Sequence, residues 1–76
     1  MEIKDFIQHF AEQLDETDVN ELSPETAFHD LDEYSSIIAL SIIAMIDEEY
    51  GVAVSAKEMT SSVTIEDLFN VVKSKM

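Results

Sequence analysis

The sequence predicts an all-α fold: a small four-helix bundle of three main helices and one short one, with a long first loop. Three observations lead there. Apolar residues recur at helical spacing in three separate stretches, Ser/Thr caps with an acid three residues on open two segments, and no alternating run is long enough for a strand. Val52-Ala53-Val54 is too short, and Gly51 before it reads as the stop of the preceding helix. The 76 residues support one thin core, with roughly 4,700 Å² of folded surface by area scaling, so residues 1–76 read as a single domain.

The elements follow in order. Ile3, Phe6, Ile7, Phe10, Ala11 and Leu14 fit the amphipathic template of a first helix. About 19 residues, Glu16 to Tyr34, then separate it from the next helix, a length that requires anchoring or a function. Val19, Leu22, Phe28 and Leu31 are the candidate anchors, and Ser23-Pro24 reads as a cap and first position of a single turn midway. The second helix covers residues 36–50. Ser55-Ala-Lys-Glu58 is a capping box for a helix of one or two turns before Ser61. Thr64-Ile-Glu-Asp67 opens the last helix, whose apolar stripe is Ile65, Leu68, Phe69 and Val72. Glu66 and Asp67 at its start and Lys73 and Lys75 at its end complement the helix dipole.

Charge narrows the function. Seventeen Asp and Glu oppose four Lys, for a net charge of −13 and a pI near 4.1. Such a surface repels nucleic-acid backbones and anionic membranes, so the expected partners are basic protein faces or cations. With 46% apolar residues the chain is not of the disordered class. Cysteine is absent, which excludes disulfides, thiolate metal sites and cysteine nucleophiles. Met1-Glu2-Ile3-Lys4-Asp5 is not a basic leader, and the longest apolar stretch, Ile37 to Ile46, is too short to span a bilayer. A cytoplasmic protein is the expectation.

The second helix shows more apolar surface than its core contact needs. Projected at 100° per residue, Ile38, Ala39, Ile42, Ile43, Met45, Ile46 and Tyr50 fall within an arc of about 160°. Ile37, Leu40 and Ala44 lie opposite, among Ser41, Asp47 and Glu48. Either the 55–61 segment covers this second stripe, or it is an exposed, acid-rimmed protein-binding face; the rim favours the latter. Ser35 and Ser36 stand at the start of the helix, where free N–H groups and the dipole favour an anion and where one serine serves as cap.

The segment Leu31-Asp-Glu-Tyr-Ser-Ser-Ile-Ile-Ala-Leu-Ser-Ile-Ile-Ala-Met-Ile-Asp-Glu-Glu-Tyr50-Gly-Val resembles the signature of acyl carrier proteins, in which Asp-Ser-Leu opens the second helix. Anchored on Asp47-Glu-Glu-Tyr50, the resemblance places Ser36 on the modified serine and Ile37 on the Leu. It extends over nearly the whole chain, from the first helix through the long acidic loop to the Thr-Ile-Glu-Asp-Leu start of the last. Ser35 stands where the family has Asp; it can still cap the helix but brings no carboxylate. Tyr34 before it resembles the aromatic-Asp-Ser-Leu version of specialised carriers.

The resemblance implies a carrier of acyl or aminoacyl groups in fatty-acid, polyketide or related biosynthesis. The group would ride as a thioester on 4′-phosphopantetheine, transferred from coenzyme A to Ser36 by a phosphopantetheinyl transferase. Ile37, Leu40, Ala44, Asp47 and Glu48 become the docking face for enzymes with basic, apolar patches, and the protein is expected to be a non-catalytic monomer. The alternative is an unmodified acidic docking module that lost modification when Asp became Ser35. No catalytic or metal set emerges. His9 and His29 belong to no motif, and an EF-hand register from Asp30 puts Ser35 where Gly is needed and Ser41 where Glu is needed. Diffuse Ca²⁺ or Mg²⁺ association with the acidic surface would stabilise a self-repelling fold.

Overall fold

The computed structural model describes residues 2–76; Met1, part of the N-terminal stretch read above for a leader, lies outside them. Four α-helices form in the expected order: α1 (Ile3–Ala11), α2 (Ser36–Tyr50), α3 (Ala56–Ser61) and α4 (Ile65–Ser74). No strand occurs among the described residues, only an isolated bridge between Ala27 and Thr64. The accessible surface of the described chain is 4602 Å², close to the area expected of a single folded domain of this mass.

Local caps and stops set several of the helix ends. Ser55 accepts from Glu58 N–H while the Glu58 carboxylate accepts from Ser55 N–H, and Thr64 and Asp67 reciprocate in the same way at α4. Gly51 ends α2 at φ +66°, a left-handed conformation that glycine adopts without a Cβ penalty. The helix α1 stops three residues short of the apolar pattern. After Ala11 the chain tightens, with Gln13 and Leu14 N–H bonded to the carbonyls of Phe10 and Ala11, three residues back. Leu14 still reaches the core although it is outside the helix.

The core is built where α1, α2 and α4 meet. Phe6, Phe10, Ile42, Ile46, Ile65, Leu68 and Val72 are all fully buried. Phe6 packs on Phe69 at 5.6 Å between ring centroids and on Tyr50 at 5.8 Å, the tilted and edge-on arrangements that aromatic quadrupoles favour. Of the predicted inner arc of α2, Ile42, Met45 and Ile46 are buried and the others pack partly against them.

The long loop is anchored, as its length demands. Leu22 and Phe28 are buried, and Val19 and Leu31 pack against the core. Two short 3₁₀ helices, Val19–Glu21 and Phe28–Asp30, were not foreseen. At Ser23-Pro24 a tight turn replaces the expected helical one: Thr26 N–H donates to the Ser23 carbonyl, and Ser23 N–H to the Thr26 hydroxyl. The carbonyls of Pro24 and Thr26 then accept from Glu66 and Ile65 at the start of α4. Helix-start donors that would otherwise lack partners thus fasten the loop.

Candidate functional site

The site lies at the start of α2, and its local geometry follows from two adjacent serines. Ser35 is extended (φ −151°, ψ 175°), and its hydroxyl accepts from Ile38 N–H at 3.3 Å, so Ser35 is the cap. Ser36 is the first helical residue; its side chain is exposed, and its hydroxyl has no hydrogen-bond partner among the described residues. One serine therefore serves the backbone, and the hydroxyl of the other is exposed and unengaged.

The electrostatics of this helix start differ from those of the other three. The first turns of α1, α3 and α4 each carry an acid, Asp5, Glu58, and Glu66 with Asp67. The first turn of α2 carries none. At Glu58 and Asp67, hydrogen bonds from the backbone of Ser55, and of Thr64 and Val63, hold the carboxyls below the ordinary carboxylate range. At α2 that place stays open to an external anion, where unpaired N–H groups and the dipole would stabilise it.

From Ser36 an apolar stripe runs along the outer face. Ile37 is 73% exposed and Leu40 65%, and Ala44, Asp47 and Glu48 are exposed further along. The helix α3 lies against α2 but leaves this face largely open. Between the two helices runs a groove of about 440 Å³, lined in part by Ser36, Ala39, Leu40, Ile43, Ala56 and Met59. Tyr34 and His29 also line it. Burial pushes the Tyr34 hydroxyl above its usual pKa, so it stands there as a neutral phenol.

Both histidines are engaged in packing. His29 Nε2–H donates to the carbonyls of Met59 (2.9 Å) and Ser62 (3.0 Å), which ties the loop to the end of α3. His9 Nδ1 is hydrogen-bonded to the Tyr50 hydroxyl at 2.8 Å, joining α1 to the end of α2. Among the described residues no cluster of three or more acids or histidines could hold a metal ion.

The arrangement is a free serine hydroxyl at an anion-favouring helix start, beside an apolar groove and an exposed apolar stripe. Residues 4–72 match the family model described as a phosphopantetheine attachment site. The chain belongs to that family. No curated protein matches it. The phosphopantetheine-attachment domain carries 4′-phosphopantetheine covalently, and its family comprises carriers that interact with phosphopantetheinyl transferases and with biosynthetic enzymes. The residues at the start of α2 fit such a group: an unengaged hydroxyl can form the ester, and helix N–H groups not matched by a local acid can face the phosphodiester. No helix among the described residues is long and apolar enough to cross a membrane.

Proposed function

We propose that the single domain of residues 1–76 is a carrier whose acceptor is Ser36. The observation that carries this reading is the division of labour between the two serines: Ser35 is held as the cap, and Ser36 is exposed and unengaged. A transferase would take the proton from Ser36 Oγ as that oxygen attacks the pantetheine-side phosphorus of coenzyme A; the new phosphoester bond forms while the pyrophosphate P–O bond breaks, and adenosine 3′,5′-bisphosphate leaves. This chain supplies the acceptor, and its partner supplies the base and the metal. Once attached, the arm supplies a thiol that holds an acyl or aminoacyl group as a thioester. Replacement of the family's Asp by Ser35 removes a negative charge next to the incoming phosphate, while the cap bond to Ile38 is kept.

Ile37, Leu40, Ala44, Asp47 and Glu48 form the docking face. Their exposed apolar groups beside carboxylates suit basic, apolar patches on partner enzymes of fatty-acid, polyketide or related biosynthesis. Screened charges speed encounter and leave affinity modest, as a shuttle requires. The protein acts as a cytoplasmic monomer without catalytic residues of its own, and the apolar groove beside Ser36 offers cover to an acyl group. The intact mass of the protein from cells that contain a compatible transferase tests this. A mass gain of one phosphopantetheine is expected; a persistently unmodified chain would instead leave the acidic docking module whose modification was lost with the Asp.

A further inference from the structure

The segment that presents Ser36 is held by a contact that neither the helix pattern nor the family match accounts for. Glu33 lies two residues before the cap, in a turn closed by Tyr34 N–H donating to the Leu31 carbonyl at 3.0 Å. Its carboxylate reaches back across the molecule to the chain just after α1. There it accepts from the backbone N–H groups of Asp15, Glu16 and Thr17 and from the Thr17 hydroxyl. The Glu16 bonds are 3.0 and 3.1 Å, the Thr17 N–H bond 3.1 Å, and the hydroxyl bond 3.0 Å. Three successive N–H groups converging on one carboxylate make an anion-binding nest filled from within the chain.

The nest joins segments that charge would drive apart. Glu16, Glu21 and Asp32 line one surface hollow with Glu33, Asp15 and Asp18 neighbour them in the sequence, and no Lys lies between Glu12 and Glu33. Burial alone would raise the Glu33 pKa, but the hydrogen bonds from Asp15, Glu16 and Thr17 outweigh it and hold the carboxyl below its ordinary range. The carboxylate is thus held ionised by backbone and hydroxyl donors, not by a neighbouring cation. Ser35 and Ser36 follow directly on this fixed point.

We propose that Glu33 is a positioning residue for phosphopantetheine attachment: its nest of backbone N–H groups fixes the entry to α2, so that Ser36 is presented to the transferase already ordered. The proposal rests on Ser36 as the acceptor. Without the clamp, the segment from Glu33 to Ser35 must be ordered at each encounter. Ordering even one residue's backbone corresponds to about a tenfold loss in apparent affinity.

The test is steady-state transfer from coenzyme A to the full-length chain by a phosphopantetheinyl transferase, with peptide mapping of the product. Three variants are compared with the native chain: Glu33→Ala, Glu33→Gln and Thr64→Ala. The last removes the α4 cap and so lowers stability away from the site. Glu33→Ala is expected to raise KM for the carrier about tenfold with kcat within about twofold of native. Glu33→Gln keeps one acceptor oxygen and should fall between the two, which also serves should the alanine variant fold poorly. Thr64→Ala should leave KM unchanged. The KM ratio should persist at high salt. Three results each overturn the proposal: a native KM in both Glu33 variants, an equal rise in Thr64→Ala, or a ratio that vanishes with salt, which would make Glu33 a plain docking charge. An arm mapped to Ser35 refutes Ser36 as acceptor, and with it the ordering argument in this form, whatever KM does.

Discussion

Truncating Leu40 to alanine separates folding from docking on a single helix. Leu40 is 65% exposed, whereas Ile42, two residues on, is fully buried. Complete burial of a leucine side chain is worth about 1.5–3 kcal/mol. Roughly two-thirds of that is left to be gained on docking, about 1–2 kcal/mol, or a 5- to 30-fold effect on affinity. The folded chain loses at most the remaining third, below about 1 kcal/mol, a melting shift under about 8 °C for a domain of this size. Alanine's better helix propensity offsets part of even that. Ile42→Ala, by contrast, opens a cavity in the core and should cost about 2–5 kcal/mol. Thermal melts followed by circular dichroism give the first comparison, and KM for phosphopantetheine transfer and for an acyl-loading enzyme gives the second. If Leu40→Ala melts as low as Ile42→Ala, the stripe is covered in solution. If it melts normally and no partner enzyme notices the change, the stripe is not the docking face.

Reversing Asp47 and Glu48 to Lys should slow productive encounter most at low salt, and the deficit should shrink as ionic strength rises; rates indifferent to salt would remove electrostatics from that face. Thr64→Ala should cost about 1 kcal/mol, or about 4–8 °C, by melting. The partner of that cap, Asp67, has its folded pKa below the ordinary carboxylate range, held there by backbone hydrogen bonds from Thr64 and Val63. A depressed folded value means its contribution is complete well above the ordinary carboxylate range and lost as pH falls through the folded value. The stability deficit of Asp67→Asn should therefore be constant at neutral pH and disappear in acid, and a deficit that survives acid would show that the amide fails by shape and not by charge.

What the sequence made legible was local. The helix α2, its two apolar faces and its Gly51 stop are written in nearest-neighbour terms, as are the caps at Ser55 and Thr64, where acceptor and donor lie three residues apart. The stretch from Glu12 to Glu33 resisted because its order comes from partners far along the chain. Nothing in Pro24 or Thr26 announces that their carbonyls bond to the start of α4. Nothing near Glu33 announces the nest at residues 15–17. With no apolar periodicity there, only the apolar anchors Val19, Leu22, Phe28 and Leu31 stood out in advance. Helix α1 ended early for a related reason: Leu14 satisfies the helical spacing but reaches the core from a tightened turn. At the site, sequence reasoning could name both serines and leave their roles to the resemblance. One bond, Ile38 N–H to Ser35 Oγ, distinguishes them.

The central claim is that Ser36 carries the arm, and paired serine variants test it most directly. Native chain, Ser36→Ala and Ser35→Ala are each incubated with a phosphopantetheinyl transferase and coenzyme A, and their intact masses are compared. Native and Ser35→Ala should gain one phosphopantetheine, the latter with a lower melting temperature from the lost cap, while Ser36→Ala stays folded and unmodified. An arm retained on Ser36→Ala and lost from Ser35→Ala would contradict the account at its core.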